Sequence, residues 1–204
     1  MDRALVLARM LVELMPDEAE VRGLLALLLT DARRTTRTDA QGRLVLLEDQ
    51  DRAQWDRAAI EEGRRLVERA FRTGRAGRYA LQAGIACLHA TAAGYAATDW
   101  RQILWLYDEL LKVWPAPVVA LNRVVAISMV HGPLVALAEI DALTRDDRLA
   151  AYHYLPAVRA DLLRRLDRPR EAAVAHHAAL DLADNAVERE FLAARLAEAA
   201  SMFS

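Results

Sequence analysis

Apolar residues recur at helical spacing in ten successive runs along this chain, separated by short stretches rich in Gly, Pro, Asp and Thr. That pattern predicts an all-α fold with short connections, and no strand-length alternation competes with it. The first run, about 2 to 14, presents Leu5, Ala8, Met10, Leu11 and Leu14, and stops at Met15-Pro16 because proline disfavours helical geometry in the residue before it. Pro16-Asp17-Glu18-Ala19-Glu20 opens the second, which has Val21 to Leu29 as its core face and reaches about Arg34. A third spans Trp55 to Phe71 with Ile60, Leu66, Val67 and Ala70 inward, and is broken by Thr73-Gly74-Arg75-Ala76-Gly77. Seven more follow at about 78–97, 100–113, 117–131, 133–144, 152–167, 169–183 and 185–203.

Six of those seven pair into hairpins, and the hairpins carry a period. Aligning Asp99-Trp100 with Gly132-Pro133 gives a separation of 33, and His131-Gly132-Pro133 with Asp167-Arg168-Pro169 gives 36. Both are close to the 34-residue tetratricopeptide repeat. In this register a small or apolar residue opens the second helix of each pair (Ile103, Ala136, Ala172), and another follows seven residues on (Leu110, Leu143, Ala179). A hairpin cannot bury its apolar face alone, so the pairs are expected to stack as a right-handed tetratricopeptide-like solenoid, with 185–203 as a cap. The expected organisation is an N-terminal helical subdomain, 1–72, containing a long polar linker loop at 36–54, followed by a helical repeat region, 78–204.

Composition narrows the function. With 54% hydrophobic residues over 204 positions the chain can build a sizeable core. Lys and Arg number 27 against 29 Asp and Glu, so there is no general basic field to attract phosphates, and direct nucleic-acid contact is not expected. One cysteine, Cys87, excludes an internal disulfide and suits a buried thiol in a reducing compartment. No apolar run approaches the ~20 residues of a membrane span, and Met1-Asp2-Arg3 does not open a signal peptide, so a cytoplasmic protein is expected.

Catalytic constellations are missing: the chain has no Gly-rich phosphate loop, no His-Glu-x-x-His, no paired Cys motif and no Gly-x-Ser-x-Gly elbow. Neither an enzyme nor a cofactor is expected. His176-His177 is the nearest approach to a metal signature, but adjacent helical residues project about 100° apart. Glu48, Asp49 and Asp51 with Asp39 lack EF-hand spacing, and the plainer reading is that Asp49, Gln50 and Asp51 cap the following helix and tie the loop down. Arg33, Arg34, Arg37 and Arg43 form a short basic run suited either to an acidic partner or to a helix C-terminus.

The segment Asp39-Ala40-Gln41-Gly42-Arg43-Leu44-Val45-Leu46-Leu47-Glu48-Asp49-Gln50-Asp51-Arg52, with Trp55-Asp56 and Ile60-Glu61-Glu62-Gly63, is the least ordinary part of the chain. Together with Leu14 to Leu27, Asp31-Ala32-Arg33-Arg34, Tyr79 to Ala86, Val118 to Ala126 and Ala157 to Leu166, it resembles the tetratricopeptide-like C-terminal extension of one subgroup of extracytoplasmic-function RNA polymerase sigma factors. The resemblance covers about residues 5–196. It implies a regulatory, protein-interaction domain whose partners are the promoter-binding sigma regions or the polymerase core. The family's Asp-Gly-Arg-Leu motif maps onto Gln41-Gly42-Arg43-Leu44, with an amide in place of the leading acid. Gly42 then allows a positive-φ turn and Arg43 offers a bidentate contact to a partner carboxylate.

The expected interaction residues are Gly42, Arg43, Leu44, Asp49, Gln50, Asp51, Arg52 and Trp55 of the linker. Asn122, Asp161 and Arg164 join them from a groove lined by the first helix of each pair, where His89, Tyr95, Ser128 and Tyr154 also fall. Two alternatives remain open: a free-standing tetratricopeptide-like adaptor, and an all-helical small-molecule sensor with a pocket near Trp100, Trp105 and Trp114.

Overall fold

The computed structural model describes residues 2–31, 36–74 and 76–201. Arg33, Arg34 and Arg75, the end of the second predicted helix and the last residues of the tenth lie outside them. Ten α-helices account for most of the described chain: α1 Asp2–Leu14, α2 Ala19–Thr30, α3 Arg57–Arg72, α4 Arg78–Thr91, α5 Trp100–Val113, α6 Pro117–Val130, α7 Pro133–Leu143, α8 Tyr154–Arg165, α9 Pro169–Leu182 and α10 Ala186–Ser201.

Local chemistry sets their ends. Pro117, Pro133 and Pro169 stand in the first turn of α6, α7 and α9, where a missing N–H costs nothing. Asp56 and Asp99 accept from the N–H groups of Ala59 and Gln102 and so cap α3 and α5. At the end of α8 the Arg168 N–H reaches the Leu163 carbonyl at 3.0 Å and the Asp167 N–H reaches Arg164 at 3.1 Å. This Schellman closure places Asp167 at φ 56°, where glycine is the usual occupant.

The chain divides into two compact units, residues 1–38 with 45–115 and residues 39–44 with 116–204. The division falls between Pro115 and Ala116, inside the region that the sequence suggested as one repeat array. In the first unit α2 packs against α1, α3 and α4, and α5 packs on α4. Ala8, Leu25, Ala26, Leu29, Leu66 and Ala83 form its main core cluster. Gly23 lets α2 meet the start of α4: a Cβ there would lie 2.4 Å from the Ala80 nitrogen. One turn earlier the Glu20 carboxylate accepts from the Tyr79 and Ala80 N–H groups at 2.9 and 3.1 Å, capping α4 from 59 and 60 residues away.

In the second unit α6 pairs with α7 and α8 with α9, and α10 packs on α9. The register found by period is the register of the core. Ile103, Ala136, Ala172, Leu110 and Ala179 are all at most 1% exposed, and Leu143 is half-buried. Within each unit consecutive helices thus pack as a hairpin-like array.

The fourth helix stops at Thr91 rather than 97: Ala92 and Gly94 leave helical geometry, and Tyr95–Ala97 form a separate 3-10 turn. On α1 the inward face is Leu5, Ala8 and Val12, while Met10, Leu11 and Leu14 face outward.

Candidate functional site

The polar segment folds as two distinct pieces. Its tip, 39–44, is a turn built on Asp39. One carboxylate oxygen accepts from the N–H groups of Gln41 and Arg43, both at 2.9 Å, while Gly42 N–H reaches the Asp39 carbonyl at 3.0 Å. Gly42 sits at φ 80°, the left-handed conformation that glycine adopts without penalty. The other Asp39 oxygen receives Nε of Arg43 at 2.8 Å and lies 2.7 Å from its Nη2. The Arg43 N–H first of all, with its guanidinium and the Gln41 N–H, holds the Asp39 carboxyl below its ordinary range. An acid two residues ahead of Gln41 therefore supplies the partner for Arg43. Gly42, Arg43 and Leu44 are exposed, with the Arg43 side chain 59% accessible.

The base of the segment turns inward, within the first unit. Trp55 is 3% exposed and packs with Ile60, Ala90 and Leu47. Its Nε1–H donates to Thr36 Oγ1 at 2.8 Å, the Thr36 hydroxyl donates to Gln50 Oε1 at 3.2 Å, and Gln50 Nε2 donates to the Val45 carbonyl at 3.1 Å. Arg52 lies over the Trp55 ring at 4.6 Å, and its Nη1 donates to the carbonyls of His89 and Ala92 at 2.8 and 2.9 Å. Those carbonyls belong to the frayed end of α4, so Arg52 supplies both the cation and the donors that a helix C-terminus lacks. Burial, then repulsion from Arg57, lowers the Arg52 pKa. Asp51 accepts from the Ala53 N–H, which together with Gln54 lowers its pKa, and caps the 3-10 turn Arg52–Gln54. The cap of α3 is Asp56, not the Asp49 to Asp51 run.

Of the nominated linker residues, Gln50, Arg52 and Trp55 are thus committed to internal partners, whereas Gly42, Arg43, Leu44 and Asp49 are presented to solvent. In the second unit Asn122 is exposed on α6, and Asp161 pairs with Arg164 at 2.7 Å along α8. Ser128 is buried and receives Arg165, whose Nη1 reaches its hydroxyl at 2.8 Å and whose Nη2 reaches its carbonyl at 3.2 Å, tying α8 to α6. Tyr154 donates to Glu188 at 2.8 Å. His89 and Tyr95 pack edge-on against Trp100, at 5.1 and 5.4 Å between ring centroids.

Among the described residues no three His, Cys, Asp or Glu side chains converge as a metal site requires, and no helix is long and apolar enough to cross a membrane. His177 pairs with Asp181 at 3.1 Å on the surface, while His176 is buried and burial lowers its pKa. An open groove of about 370 Å³ lies in the first unit, floored by Gly84, Cys87 and Leu88 of α4 and walled by Val67 and Phe71 of α3 and Trp105 of α5. Arg52 as a helix cap and Glu20 as a remote cap were not legible from spacing, since both act across long sequence separations.

Residues 1–71 match the model of DUF6596, a family of unknown function. This match spans α1 to α3 and includes the whole polar segment. An uncharacterised protein of Rhizobium meliloti (strain 1021) is 44% identical over 196 residues, which cover 96% of this chain and 46% of that protein. The chain thus spans about half the length of the relative it matches. No solved structure matches.

Proposed function

We propose that this chain is the regulatory, protein-interaction domain of an alternative RNA polymerase sigma factor, and that the Gly42-Arg43-Leu44 turn contacts the sigma regions or the polymerase core. The observation that carries this reading is the turn itself. Asp39 spends its carboxylate on two backbone N–H groups and on Arg43, so a charged side chain and an apolar one are fixed in an exposed geometry. A side chain ordered in advance loses less entropy on binding. The relative of twice the length supports the view that such a domain belongs to a longer polypeptide.

In this reading the helices act as a scaffold, and the chemistry is binding alone. Arg43 offers its remaining guanidinium N–H donors to an acidic surface, and Leu44, 37% exposed, supplies apolar contact beside it. The test is promoter output from the full-length factor carrying Arg43→Ala, with folding followed by circular dichroism. Output should fall at least about tenfold, in line with the 1.5–3 kcal/mol of a charged hydrogen bond, while the melting curve stays in place. Unchanged output from a stably expressed variant would sink the reading.

The groove beside Trp105 favours a second reading, a peptide-binding adaptor. Trp105 is 51% exposed, and the floor and walls around it are mostly apolar. Tryptophan quenching by helical peptides, abolished in Trp105→Ala, is the result this reading requires.

A further inference from the structure

We infer that α1 is a self-association surface on which two copies of this chain pair antiparallel, about a two-fold axis between Met10 and Leu11. Thirteen large hydrophobic side chains are exposed among the described residues, and six of them, Val6, Leu7, Met10, Leu11, Leu14 and Met15, lie on α1 or just after it. Leu14 is 76% exposed. The helix is already anchored by its other side: Ala8 is buried, Leu5 and Val12 pack on the core of the first unit, and Arg9 pairs with Glu62. Successive residues turn by 100°, so Arg3, Leu7, Met10 and Leu14 fall in one narrow sector, opposite Ala8 and Val12. Isolated exposed apolar residues need no explanation, but a continuous stripe of this kind marks an interface.

The stripe itself identifies its occupant. An axis between Met10 and Leu11 carries Leu7 onto Leu14 and Val6 onto Met15, so the surface is complementary to itself, as a two-fold interface must be. The same operation brings Arg3, which lies on the stripe's own face, to the turn that holds Asp17 and Glu18 of the second copy. All three are exposed. Opposite charges therefore meet at both ends of the pair and the helix dipoles run opposed, whereas parallel pairing would set Arg3 against Arg3. One short helix per copy gives an interface at the low end of the specific range, about 1,200 Å² in total or less, so the dimer should be concentration-dependent, with a Kd on the order of micromolar.

Sedimentation equilibrium or light scattering on the 204-residue protein, from about 1 to 200 µM, reads this directly. The mass should rise from 22.7 kDa toward twice that value. Leu7→Glu with Leu14→Glu should hold it at the monomer with an unchanged helical spectrum. Arg3→Glu should weaken association about tenfold, and adding Glu18→Arg should restore it. Both charge positions are exposed, so this pair of variants tests the register even if the double glutamate variant fails to fold. A wild-type monomer throughout the range, a dimer that survives the glutamates, or a dimer indifferent to the charge swap would each overturn the inference.

Discussion

Removing the Arg52 side chain should loosen the first unit by an amount the geometry allows to be worked out. The guanidinium makes two bonds to the carbonyls of His89 and Ala92 and stacks on Trp55 at 4.6 Å. A charged donor to a carbonyl contributes about 1.5–3 kcal/mol when well buried, and a cation over an indole about 0.5–1 kcal/mol at exposed sites. Arg52 is only partly buried, so solvent screens part of each, and the discounted sum for Arg52→Ala is about 2–3 kcal/mol. That corresponds to a fall in Tm of about 5–10 °C. Arg52→Lys keeps the charge but not the planar fork, and should lose about half as much. All four tryptophans, Trp55, Trp100, Trp105 and Trp114, lie in the first unit, so selectively excited tryptophan fluorescence during urea unfolding reads that unit. An Arg52→Ala midpoint within about 0.5 kcal/mol of wild type, at equal slope, would refute the assignment of Arg52 as the cap of α4.

Other outcomes follow from the same geometry. Gly23→Ala should cost about 3 kcal/mol or prevent folding, because its Cβ would meet backbone atoms of Tyr79 and Ala80 rather than a movable side chain; denaturant melts check this. Asp167→Gly should stabilise by about 0.5–1 kcal/mol by relieving the left-handed conformation at the end of α8, measured as a raised thermal midpoint. Burial lowers the folded-state pKa of His176, so on acidification the unfolded chain takes up the proton first. Its stabilising contribution is complete above the unfolded value of about 6.5 and is lost as pH falls below that toward the folded value. His176→Leu should flatten the fall in stability below about pH 6.5, as read from melts at each pH; an unchanged slope would exclude His176 as its source.

Much of the fold was legible in the sequence because its signals are local. Helical periodicity and Pro at the first turn of α6, α7 and α9 act within one turn of chain, whereas the cap of α3, expected at Asp49 to Asp51, is Asp56. Even the repeat register, from a period alone, picked out fully buried positions such as Ile103, Ala136 and Ala172. What was hidden depends on long-range contacts. Arg52 reads as a surface cation until α4 is placed beside it, and Glu20 as an ordinary first-turn acid until Gly23 brings α4 close. The face of α1 was misread because apolar residues nearly encircle that helix, and periodicity alone does not say which side the core takes. At the candidate site the positive φ of Gly42 was legible, whereas the pairing of Arg43 with Asp39 was not, because the acid stands two residues ahead of Gln41, the position the motif gives to it.

The measurement closest to the central claim is site-specific photo-crosslinking from position 44 in the full-length factor mixed with purified core polymerase. A photoreactive side chain there should cross-link to the factor's own promoter-binding regions or to a polymerase subunit, and Arg43→Ala should reduce the yield. Equal yields from position 44 and from an exposed control position such as Arg170, or no cross-link from position 44 in a factor that still supports transcription, would contradict it.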